Sequence, residues 1–157
     1  MSVPDFAQAL ASEIVAVRKF IALLQEEQLQ LREKQMEALE RTCAVKASLA
    51  VELEKISATR NACLADMGLN IETSGKTLEA WIGKQNNPRL LQAWHTLQSL
   101  ARDAKSLNEQ NGQCIALLAR NNREQFDALT GRQANGMFYS PDGQAASSSA
   151  SRISDSV

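Results

Sequence analysis

The feature that most constrains this chain is an absence: from Asp5 to Met67, 63 consecutive residues include neither glycine nor proline. A stretch of that length with no residue that breaks or sharply turns the backbone is a helical stretch. Within it the apolar residues recur at helical spacing. Leu10, Ile14, Val17, Ile21, Leu24, Gln28 and Leu31 alternate steps of four and three and fall on one stripe, widened by Phe6, Ala7 and Phe20. A helix of this kind needs a partner helix. One straight helix over residues 5–67 would run roughly 95 Å at about 1.5 Å per residue, with its stripe uncovered throughout. Folding back is the more economical solution, and the predicted reversal is Arg32 to Gln35. Those four residues are all polar, and the stripe changes phase before resuming at Met36, Leu39, Cys43, Leu49, Leu53, Ile56, Cys63 and Leu64. An unbroken helix in a dimeric coiled coil is the rival.

Helix ends are marked elsewhere by residues with a mechanism. Ser2 is placed to cap the first helix, and Pro4 sits in its first turn, where a missing N–H is harmless. Gly68 suits the left-handed conformation that closes a helix, and Asn70, Thr73 and Ser74 supply turn and cap chemistry before a short helix over 76–83. Asn87 and Pro88 then form an N-cap and first helical residue for a last helix over 88–129, with Leu90, Trp94, Leu97, Leu100 and Leu107 on its early inner face and Gly112 as a place to bend or pack closely. From Thr130 onward the chain holds three of its seven glycines and the run Ala-Ala-Ser-Ser-Ser-Ala-Ser, too little apolar surface to offset the entropy of ordering. The expected fold is all-α: an elongated antiparallel bundle or coiled coil of three main helices, about 4–32, 35–67 and 88–129, plus the short one. It forms one domain over residues 1–129, followed by a flexible tail over 130–157.

Several function classes are disfavoured by the same residues. Seventeen basic against eighteen acidic side chains give a net charge of -1 and no basic face for nucleic acid. No run approaches the roughly 18 apolar residues that membrane insertion requires. The N-terminus lacks the basic region and apolar segment of a secretory signal, so a cytoplasmic location is expected. Cys43, Cys63 and Cys114 are odd in number and widely spaced, and are read as reduced core residues. Gly75-Lys76-Thr77 lacks both the upstream glycine of a phosphate loop, since position 70 is Asn, and a strand leading in. His95, the single histidine, has no metal-ligating companions at helical spacing and is read as a surface or boundary residue. Glu26, Glu27, Glu33, Glu37 and Glu40 alternate with basic residues as a solvated, salt-bridged face. No catalytic constellation, cofactor site or metal site emerges, and the chain is not read as an enzyme.

The last helix is unusual. Its inward series Asn108, Asn111, Ile115, Leu118 and Asn122 mixes three asparagines with two aliphatics. Asparagine at core positions sets register in coiled coils. The alternative is that residues from about Asn111 to Leu129 overhang the bundle, leaving Ile115, Leu118, Phe126 and Leu129 as an apolar stripe for another protein's helix.

Three segments resemble the FlgN-like flagellar export chaperones: Leu-Leu-Gln-Glu-Glu-Gln-Leu-Gln-Leu at 23–31 followed by Ala-Val-Lys-Ala-Ser-Leu at 44–49, the stretch from Asn111 to Gly131, and the tail motif Phe-Tyr-Ser-Pro-Asp-Gly-Gln at 138–144. The last two, in that order and at that distance, are the specific part. Family tails commonly read Tyr-Gly-Pro-Asp-Gly, so Tyr139, Pro141, Asp142 and Gly143 match and Ser140 departs. The resemblance implies a cytoplasmic chaperone of flagellar type III export that binds hook-filament junction (hook-associated) proteins through their terminal amphipathic segments. Their spacing makes Asn111, Ile115, Leu118, Ala119, Asn122, Phe126 and Leu129 on the last helix the candidate residues for binding such a segment. The resemblance also implies docking to the export gate through Tyr139, with Phe138, Pro141, Asp142 and Gly143 around it. The competing reading is a structural coiled-coil adaptor whose last-helix stripe is buried in a homodimer.

Overall fold

The long run free of glycine and proline forms two helices, not one. The computed structural model describes residues 2–69 and 75–131. Helix α1 spans Val3–Glu33 and α2 spans Met36–Asp66. At the start of α1 the Asp5 carboxylate accepts bonds from the Ser2 backbone N–H (2.6 Å) and the Ser2 hydroxyl (2.8 Å). Those bonds hold the Asp5 carboxyl below its ordinary value.

The reversal lies within the predicted four residues and uses a residue that nothing in the composition singles out. Lys34 adopts a left-handed backbone, φ 57, with its N–H donating to Leu31 O (3.4 Å) and the Gln35 N–H to Gln30 O (2.9 Å). This is the hydrogen-bond pattern with which glycine commonly closes a helix. A second instance ends α2, where Gly68 has φ 80, its N–H donates to Ala65 O (2.9 Å), and Leu69 N–H donates to Leu64 O (3.0 Å). The expected turn residues Asn70, Thr73 and Ser74 lie outside the described residues. Helix α3 covers Gly75–Lys84 and α4 covers Pro88–Leu129. Asn87 caps α4 through its Oδ1, which accepts from the Leu90 N–H at 3.2 Å.

The chain divides into two units, Met1–Ile115 and Ala116–Val157, the boundary falling within α4. In the first unit, contacts between distant residues give the directions of the helices. Glu27 of α1 meets Lys46 of α2, and Glu13 meets Ser57 and Arg60, so the two helices are antiparallel. Arg60 stacks over Trp94 at 5.6 Å and Lys46 reaches Asn108 at 3.4 Å, so α4 is antiparallel to α2 and parallel to α1. Phe6, Leu10, Leu64, Ile82, Leu90, Trp94 and Leu97 belong to one apolar core, and the Phe6 and Trp81 rings meet edge to face at 5.9 Å. Each such side chain removed from water contributes about 1.5–3 kcal/mol.

The seam of α1 is rotated from the expected one. Leu10, Val17, Leu24 and Leu31 are buried as anticipated, but Ile14, Ile21 and Gln28 are only half-buried, and Glu13 and Glu27 are buried in their place. Steps of three then four replace four then three, because Arg60 and Lys46 on α2 neutralise the carboxylates that this rotation turns inward. Glu27 therefore leaves the solvated face on which charge patterning placed it. The cysteines also separate: Cys63 is buried, Cys43 half-buried beside Glu27, and Cys114 exposed on α4, so the expectation of three core cysteines holds for one. No disulfide joins them.

Candidate partner-binding helix

The second half of α4 carries the residues that the sequence singled out, and the structure treats them unequally. Asn111 is the exception to the expected exposed face. It is 1% exposed, and its Nδ2 donates to the backbone oxygen of Leu24 on α1 at 2.8 Å. Asn111 is therefore a seam residue of the bundle, the register-setting role open to an asparagine at a core position. Its Oδ1 is buried without a hydrogen-bond partner, a situation that costs on the order of 1–3 kcal/mol. Asn108, one turn earlier, accepts from Lys46 Nζ at the rim of the bundle.

Beyond Asn111 the apolar residues are less and less covered. Ile115 and Leu118 are half-buried, and Ala119 and Asn122 are exposed. Phe126 is 60% exposed and Leu129 is 87% exposed. Leu117, which sequence reasoning passed over because it lies off the inner stripe, is 51% exposed and adds to the uncovered apolar surface. Its signal was available in the consecutive Leu117-Leu118 pair, since neighbours on a helix point about 100° apart and Leu118 already lies on the stripe. The helix itself does not need these side chains covered: alanines, arginines and glutamine have high intrinsic propensity, and Arg120 pairs with Glu124 at 3.5 Å across one turn. The tail residues Phe138, Tyr139, Pro141, Asp142 and Gly143 lie outside the described residues.

The buried ionisable groups hold the helices together. Glu27 Oε2 lies 2.8 Å from Lys46 Nζ, and the Cys43 thiol donates to the same carboxylate at 3.8 Å. Burial, reinforced by the Glu27 charge, pushes the Cys43 thiol above its ordinary value, so it stays protonated. Glu13 accepts from the Ser57 hydroxyl at 2.6 Å and from the Arg60 guanidinium. Each acid is matched to a base across the α1–α2 interface. His95 Nε2 and Glu79 Oε1, 2.6 Å apart, tie α4 to α3, and His95 is exposed, in keeping with its reading as a surface or boundary residue. Among the described residues no cluster of three His, Cys, Asp or Glu is placed to hold a metal ion. A groove of about 600 Å³ between α1 and α2, lined by Gln8, Ala9, Ser12, Ile56 and Thr59, is open to solvent and brings no acid–base pair together.

This all-helical chain, with its late stretch of uncovered apolar residues, has a match in sequence: the FlgN protein family model covers residues 1–147. The chain belongs to the FlgN family. That family consists of flagellar export chaperones, and the four helices described above lie within the matched region. No curated protein matches the chain, and no solved structure does. None of the helices described for this FlgN-family chain is long and apolar enough to cross a membrane.

Proposed function

We propose that this chaperone works in the cytoplasm, where it binds hook-filament junction (hook-associated) proteins and escorts them to the flagellar export gate. The observation that carries the reading is the exposure of Phe126 and Leu129 on one face of α4. Large apolar side chains left uncovered together mark a binding surface. A subunit that polymerises only outside the cell carries terminal amphipathic segments that have no partner while inside, and such segments aggregate or are cleaved. Ile115, Leu118, Ala119, Asn122, Phe126 and Leu129 follow the spacing by which one amphipathic helix anchors another. In the free chain Asn111 is held against Leu24, so cargo meets the other six first.

The tail supplies a second, separable function. Tyr139, flanked by Phe138 and by Pro141-Asp142-Gly143, docks to the gate as a short linear motif. Capture by pull-down from a flagellated cell tests both parts. Ile115→Asp with Phe126→Asp should lower capture of junction proteins more than a hundredfold with helicity unchanged, since two charges are then forced into an apolar interface (about 3 kcal/mol or more). Undiminished capture would move the cargo site elsewhere. Tyr139→Ala should impair delivery to the gate and leave cargo affinity intact, and a parallel loss of cargo would join the two roles. A tight homodimer that survives micromolar dilution and protects Phe126 from solvent would favour the adaptor instead.

A further inference from the structure

The contacts that hold α4 to α1 and α2 change character along its length. Leu90, Trp94 and Leu97 are buried in the apolar core together with Phe6, Leu10 and Ile82. From Ala104 onward, the buried residues of α4 are Ala104, whose side chain is a single methyl, and Asn111. Besides the half-buried Leu107, which packs against the core, two polar contacts join that stretch to α1 and α2: Lys46 Nζ to Asn108 Oδ1 at 3.4 Å and Asn111 Nδ2 to Leu24 O at 2.8 Å. The second satisfies half of a carboxamide, because Asn111 Oδ1 is enclosed without a donor. An apolar side chain of similar size would fill the position without that penalty. A half-matched amide in a helical seam weakens the seam and selects its partner.

We infer that α4 from Ala104 to Asn111 is a cover that cargo separates from α1 and α2, and that the entering segment is an amphipathic helix with an asparagine or glutamine on its apolar stripe, opposite Asn111. The inference rests on the reading that cargo first engages Ile115 to Leu129. Ala104, Asn108, Asn111, Ile115, Leu118 and Asn122 advance by alternating steps of four and three along α4, so they share one face of that helix. A partner helix seated on Ile115 meets Asn111 next as it extends toward the start of α4. Its carboxamide donates to Asn111 Oδ1 and accepts from Asn111 Nδ2, which satisfies both ends of each amide. The surface left behind is not stranded. Leu24 O retains its bond within α1, Lys46 retains Glu27 at 2.8 Å, and the apolar stripe of the entering helix covers the Leu24 side chain.

A double-mutant cycle on the full chain tests this, using as probes the isolated terminal segments of the junction proteins of the same flagellum. Asn111→Leu should raise the melting temperature and weaken binding of the captured segment about tenfold. Replacing the stripe Asn or Gln of that segment by Leu should weaken binding to the natural chain, and much less to Asn111→Leu. A more stable Asn111→Leu chain that binds within about twofold of the natural one would overturn the inference and leave Asn111 a register residue alone. Should Asn111→Leu not fold, hydrogen exchange on the natural chain decides: amides of 104–111 should exchange faster than those of 92–99, and equal protection would count against the cover. A natural chain that captures no junction segment would instead overturn the cargo reading on which this rests.

Discussion

The first turns of α4 and its last turns draw on the same kinds of residue and meet opposite fates. Leu90, Trp94 and Leu97 are each less than one-tenth exposed, whereas Leu117, Phe126 and Leu129 are each more than half exposed. Helix propensity does not separate them, and neither does hydrophobicity. The difference is the company available: the early turns lie against α1, α2 and α3, where Arg60 covers Trp94 and Ile82 joins the same core. One helix thus begins as a wall of the protein's own core and ends with apolar side chains uncovered. Its middle adds polar contacts at Asn108 and Asn111 to the half-buried Leu107.

That contrast is breakable by mutation, most strongly at its apolar end. Trp94→Ala should lower unfolding stability by about 3–5 kcal/mol, while Phe126→Ala should change it by no more than about 0.5 kcal/mol. Chemical denaturation of the two variants measures both, and equal losses would mean that the late turns are folded into a core after all. The next effect concerns buried against exposed charge. Removing Glu27 leaves Lys46 without its charged partner in the interface and should cost about 2 kcal/mol, reduced from the fully buried case because Lys46 is partly exposed and keeps Asn108. Glu37→Ala breaks an exposed one-turn pair with Arg41 and should cost about 0.5 kcal/mol or less.

Smaller effects sharpen the comparison at the helix ends. Lys34→Gly relieves a left-handed backbone at the α1–α2 reversal and should raise stability by up to about 1 kcal/mol. Gly68→Ala, in the equivalent conformation, should move the melting temperature the other way. The smallest is the acid dependence of the α1 cap. Because Ser2 depresses the Asp5 carboxyl in the folded chain, its contribution is present above its ordinary value and is lost as pH falls through the depressed one. Asp5→Asn should therefore flatten the stability profile below about pH 4 and leave the shape of the profile near neutrality unchanged.

Much of the fold was legible because its determinants are local. The run without glycine or proline, the Asn87-Pro88 start of α4 and the glycine that closes α2 each act through residues a few positions apart. Lys34 was less visible, since a lysine carries no preference for a left-handed backbone, and only the loss of apolar residues around it marked the turn. The burial of Glu13 and Glu27 was hidden for a different reason. A carboxylate is buried only if a base meets it, and Arg60 and Lys46 lie on another helix. Cys114 and Asn111 sit on neighbouring turns of α4 and ended on opposite sides of the expectation, one exposed and one enclosed.

By itself, then, the sequence determined that the chain is helical, about where its helices start and stop, and that apolar side chains recur late in α4, because propensity, capping and periodicity act over a few turns. The packed structure alone decided which stripe of α1 faces inward and which asparagine is enclosed. It also decided which of α4's apolar residues are left uncovered. Those outcomes depend on what each side chain meets across an interface: an opposite charge that offsets desolvation, a carbonyl that accepts one end of an amide, or open solvent.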